Sequence, residues 1–99
     1  MNELVTNAFL APIQNPRRKL ILVALALKAG RSTKLKINPT ELAPIVGLDD
    51  GSGAEKLALH ISAMSGQYLD MQMICDGTVP LVGVNLERLY QMDTFQGVA

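Results

Sequence analysis

Residues 37–66 read INPTELAPIVGLDDGSGAEKLALHISAMSG, a short helix, a glycine-rich turn and a longer helix, which is the order of a helix-turn-helix. Asn38 can cap the first helix, and Pro39 suits the first helical position, where a missing N–H costs nothing. Ala43 is small enough to let two helices touch. Gly47 can take the left-handed conformation that ends a helix, with Val46 and Leu48 filling the angle beside it. Pro44 removes one helical hydrogen bond and crowds the carbonyl of Thr40, so the first helix should be short or irregular there. Asp49-Asp50-Gly51-Ser52-Gly53 makes a longer turn than the tight form of the motif, with Ser52 or Asp50 as the cap of the next helix.

The second helix of the motif, about Ala54 to Ser65, projects Ala54, Leu57, Ala58, Ile61, Met64 and Ser65 onto one arc that should face the core. The opposite side carries Glu55, Leu59, Ser62 and Ala63, with Lys56 and His60 on the flanks. A helix that reads bases in the major groove projects mainly Arg, Lys, Asn or Gln. This one offers an acid, a leucine and small residues.

Upstream, Thr33-Lys34-Leu35-Lys36-Ile37 alternates with period two, as a half-buried strand does, and both lysines should point to solvent. Asn15-Pro16 starts a helix over Arg17–Ala29, closed by Gly30, that is apolar almost all round from Leu20 to Leu27 and should be the buried spine. Its first turn holds Arg17, Arg18 and Lys19, where positive charge is mildly unfavourable. Such a cluster is a candidate anion-binding patch, or three charges that keep a helix end solvated. Asn2 to Ile13, stopped by Pro12, reads equally as a strand or a short helix.

Downstream, Gly66 ends the long helix, and Tyr68 to Cys75 alternates as a strand. A tight turn at Asp76-Gly77 would set Pro80 opposite Met73, where the ladder needs an N–H, so a loop of about five residues, Asp76 to Pro80, is expected before a strand over Leu81–Val84. Asn85 then caps a short helix, Leu86 to about Met92, with Leu86, Leu89 and Tyr90 on one side, and a tail runs on through Phe95 and Val98.

The 99 residues suit one domain, 48% hydrophobic but only 4% aromatic, which implies a core of aliphatics and methionine. The formal net charge is +0, yet residues 1–36 sum to +6 and residues 37–99 to −6, so an electrostatic dipole is expected if folding keeps the halves apart. No signal peptide or membrane-spanning run is visible, which points to the cytoplasm. The single cysteine, Cys75, excludes an internal disulfide and a multi-cysteine zinc site and reads as a semi-buried thiol. No metal, cofactor or small-molecule substrate is indicated. His60, the one histidine, lacks a nucleophile and an orienting acid, Gly51-Ser52-Gly53 lacks the lysine and spacing of a phosphate loop, and Asp49-Asp50 lacks further cation ligands. No enzyme activity and no catalytic residue are expected.

Spine, strand, short helix, long helix and hairpin, in that order, make an α+β winged helix-turn-helix, with Asp76 to Pro80 as the wing and 1–99 as a single domain. The chain resembles the first winged-helix domain of plasmid replication initiator (Rep) proteins. The resemblance rests on Asn2-Glu3-Leu4-Val5, on Arg18-Lys19-Leu20-Ile21-Leu22, and on Ile37 with Glu41-Leu42-Ala43 and Val46-Gly47-Leu48-Asp49, over roughly the first two thirds. It implies dimerisation and phosphate contacts for this domain, while in that family a second winged helix reads much of the sequence. Two functions fit. The first is a small protein of plasmid, phage or bacterial origin that binds double-stranded DNA as a regulator or replication accessory. In it Arg17, Arg18, Lys19, Arg31, Lys34 and Lys36 would hold phosphates, and Lys56, Ser62 and Thr78 would lie towards the bases. The second is a protein-interaction module, a self-associating adaptor or inhibitor that meets a homodimer mate or another protein through Glu55, Leu59, Ala63, Leu86, Leu89 and Tyr90.

Overall fold

The computed structural model describes residues 3–30, 32–48, 51–76 and 79–90, with Cys75, Asp76, Val79 and Pro80 described by their backbone alone. The chain runs α1 (Glu3–Leu10), α2 (Pro16–Ala29), β1 (Lys34–Ile37), α3 (Pro39–Leu42) with a 3-10 turn over Ala43–Val46, α4 (Gly53–Met64), β2 (Asp70–Asp76), β3 (Val79–Asn85) and α5 (Glu87–Tyr90). It is an α+β fold in which helices pack on an antiparallel sheet of strand order β1-β3-β2.

Local chemistry sets most of these boundaries. The Asn15 side chain accepts the backbone N–H groups of Arg17 and Arg18 at 3.0 and 3.2 Å, with Pro16 opening α2. Asn38 does the same for α3, accepting the Thr40 N–H at 3.0 Å, and Asn85 accepts the Glu87 N–H at 2.9 Å ahead of α5. The irregularity at Pro44 takes the form of the 3-10 turn, and Gly47 ends it with φ of 83°. Ser52 holds the N-cap position of α4 without a side-chain bond into the helix, and Asp49-Asp50 lie outside the described residues.

The core is aliphatic. Ile21, Leu22, Val23, Leu25 and Ala26 of α2 meet Leu57, Ile61 and Met64 of α4, Leu42, Ala43 and Val46 of the α3 region, and Ile37, Val82 and Val84 of the sheet. The spine is not buried all round, because Leu20 and Leu27 face solvent: a helix on one side of a three-stranded sheet keeps a free stripe. On α4, Ser65 lies just past the helix end and is exposed rather than in the core arc.

The N-terminal segment, strand or helix by its sequence, is a helix. Leu4, Val5 and Ala8 are buried, and the buried Asn7 amide donates to the Leu89 carbonyl at 2.7 Å, tying α1 to α5. The hairpin also departs from expectation. β2 and β3 pair as far as Asp76↔Val79, so Pro80 sits opposite Cys75 instead of opening a loop, and the connection is Gly77-Thr78, outside the described residues. Pro80 is tolerated because β1 ends at Ile37 opposite Val82, which leaves β3 with a neighbour on one side only at that point. The C-terminal helix is described only to Tyr90, and the expected extension to Met92 and the tail lie beyond the described residues.

Candidate functional site

The basic triplet at the start of α2 does not form one patch, since its side chains leave in three directions. Arg17 reaches the end of the 3-10 turn and donates from Nη1 to the Val46 carbonyl, fitting where Gly47 has no side chain. Lys19 turns back to α1, where its ammonium donates to the Phe9 carbonyl at 2.6 Å and to those of Ala8 and Ala11. Both cations thus sit at the negative end of a helical segment other than their own, which offsets their unfavourable place on α2. Partial burial lowers the Lys19 pKa from its ordinary value.

Arg18 differs. Its Nε donates to His60 Nδ1 of α4 at 3.3 Å, so the ring accepts there and carries its proton on Nε2. Partial burial, then the charges of Arg18 and Arg17, hold the His60 pKa below its usual value and favour that neutral form.

Lys34 and Lys36 are exposed on one face of the sheet, as their alternation requires. The register sets Lys34 beside Asn85, with Asp70 beyond it on β2, and Lys36 beside Gly83, with Gln72 beyond it, around a shallow groove of about 690 Å³. Asp70 is engaged by Arg88 Nε, 3.1 Å from both carboxylate oxygens on an exposed surface.

On α4, Glu55, Lys56, Ser62 and Ala63 are exposed, and Leu59 stands out at 70%. The expected contact set divides here: Leu86 and Leu89 are fully buried and Tyr90 is half-buried, so the α5 side of that set belongs to the core. Their apolar spacing has the form of a surface stripe, but α1 packs over it. Arg31 and Thr78 lie outside the described residues. Two features escape the sequence reading. Ile45, 73% exposed, is turned outward by the 3-10 geometry that Pro44 imposes, a signal that the sequence does contain. The buried Asn7 has no local signal, because its acceptor is 82 positions away.

No group of three acidic, histidine or cysteine side chains able to hold a metal occurs among the described residues, and none of their helices is long and apolar enough to cross a membrane. No family model, curated protein or solved structure matches the chain.

Proposed function

We propose that this chain is a winged helix-turn-helix module that docks on protein through the outward side of α4, with a second copy of itself as the partner that this side fits. The element order from α2 to β3 and the strand order β1-β3-β2 support the winged-helix reading, with α3 and α4 as the motif and the β2–β3 hairpin as the wing. The observation that carries the function is the outward side of α4, where Leu59 is exposed between Glu55 and Ala63. Base edges are read mainly by guanidinium, ammonium and amide groups, and the leucine at the centre of the helix supplies none. The side is also self-complementary. Its long residues, Glu55 and Lys56, lie in the N-terminal half and its small ones, Ser62 and Ala63, in the C-terminal half. Two copies crossing antiparallel about Leu59 would lay the long side chains of each over the small ones of the other, as a two-fold interface requires. In sedimentation velocity over a range of concentrations, the wild type should pass from monomer to dimer, and Leu59→Glu should stay monomeric with an unchanged thermal melt. A wild type that is monomeric throughout would overturn the reading.

A second reading, duplex DNA binding as a regulator or replication accessory, is favoured by one observation, the exposed pair Lys34 and Lys36 on a common face. It expects a labelled mixed-sequence duplex to bind at low salt, to be released steeply as salt rises, and to bind more weakly to the Lys34→Ala, Lys36→Ala double variant. Absence of binding at low salt would retire it.

A further inference from the structure

Two grooves on the described surface leave little for a ligand. The groove over the sheet mixes Lys34 and Lys36 with Asp70, and the one between the start of α2 and the 3-10 turn holds Arg17, whose guanidinium is already bonded to the Val46 carbonyl. A third, of about 360 Å³, lies between the α1–α2 loop and the C-terminal end of α4. Its polar lining is Arg18, Gln14, Asn15, Gln67 and Tyr68, which is one cation, three amides and a phenol without a carboxylate.

We propose that this groove is a binding site for an oxyanion of the phosphate or carboxylate type, gripped by the terminal N–H groups of Arg18. His60 takes the Arg18 Nε–H and so fixes the plane of the guanidinium. The two terminal nitrogens make no other bond among the described residues, and a guanidinium held in plane is matched to an oxyanion that accepts two parallel hydrogen bonds. Asn15 presents its own donor, because its side-chain oxygen is occupied by the Arg17 and Arg18 backbone N–H groups and its NH2 is left to bond outward. Tyr68 Oη donates to the Pro12 carbonyl at 3.4 Å across the groove, which ties the loop to the turn after α4 and holds the two walls together. The groove adjoins the α4 docking side at Ala63, which lines it, so the anion titrations are run at a protein concentration where sedimentation finds the monomer. His60 acts as a positioning residue, and its neutral form, favoured by burial and by the two arginines, is the one able to accept from Arg18.

His60 is the only histidine in the chain, so its ring protons are a unique NMR reporter one hydrogen bond from the Arg18 guanidinium. The probes are inorganic phosphate and acetate, each titrated at constant ionic strength against sodium chloride. The wild type should show a saturable shift of the His60 signals as either probe fills the groove. Arg18→Gln should weaken binding roughly tenfold to a hundredfold, the value of one charge-assisted pair, and Arg18→Lys, with charge but no fork, should lie between. Far-UV melts establish that both variants are folded. A response to phosphate alone assigns the site to phosphate, a response to acetate alone to carboxylate, and a response to both to the shared chemistry. A shift reproduced by chloride, retained in folded Arg18→Gln, or absent with both probes overturns the proposal.

Discussion

Gly47 meets two demands at one position. Its φ of 83° is left-handed, and a Cβ placed there would lie 2.6 Å from Nη1 of Arg17. Gly47→Ala therefore strains the backbone and pushes the guanidinium off the Val46 carbonyl, with an expected loss of about 1–3 kcal/mol in urea unfolding. An unchanged midpoint would mean that Arg17 swings away without loss. Lys19 invites a sharper comparison. Lys19→Met keeps the aliphatic stem but leaves the end of α1 without its donors, and should cost about 1–2 kcal/mol. Lys28→Met, exposed in the last turn of its own helix, loses only a solvent-screened attraction to the helix end and should cost about 0.5 kcal/mol or less. The roles of Arg17 and Lys19 are not legible from the chain: Arg17 finds its acceptor 29 positions on, and nothing beside it in sequence announces that carbonyl.

Among the elements, α4 and β3 each carry a glycine, with opposite consequences. A Cβ on Gly53 would meet the Leu48 carbonyl oxygen at 1.9 Å, a backbone atom that cannot yield without moving α4, so Gly53→Ala should be among the most damaging single changes, by about 3 kcal/mol or more. A Cβ on Gly83 would come too close only to Cδ1 of Ile74, at 2.7 Å, the end of a side chain that can rotate, with the Gln72 carbonyl oxygen in ordinary contact at 3.5 Å, so Gly83→Ala should shift the midpoint far less. Equal losses in the two variants would contradict this account of α4 docking. Caps are the most legible part of the fold, since Asn15-Pro16 and Asn38-Pro39 act within their own turn. Hairpin register is not, because where Pro80 can sit depends on where β1 stops, a fact held by residues some forty positions earlier. The type of α1 is undecided in sequence for the same reason: eight residues are too few for periodicity to separate helix from strand, and packing on α2 and α5 decides it.

For the molecule as a whole, the two oppositely charged halves of the sequence do not separate. β1 of the basic half pairs with β3 of the acidic half, and α2 packs against α4, so the two halves share one sheet and one core. The outward side of α4 is legible as a face, and spacing alone singles out its Leu59, while the groove at Arg18 needs the loop and the helix end to be brought together in space. Titration of His60 couples the molecule to pH. Its folded-state pKa lies below the ordinary value of 6.5, so its share of stability is fully present above that value and is lost as pH falls through it. Urea midpoints of the wild type should therefore drop more between pH 7 and about 5.5 than those of His60→Gln, which cannot take up the proton. Parallel curves would remove His60 from the balance.

The bond from Asn7 to the Leu89 carbonyl also bears on how the chain is made. Leu4, Val5 and Ala8 can settle on α2 as soon as α2 has left the ribosome, but the acceptor for the Asn7 amide is synthesised 82 residues later. A nascent chain that ends before α5 lacks both this hydrogen bond and the packing of α5 on α1, so α1 should be held more loosely there than in the finished protein. The first helix to emerge is then the last to become fast, and a ribosome stalled before Leu89 would display an N-terminal segment open to proteases that the finished protein resists.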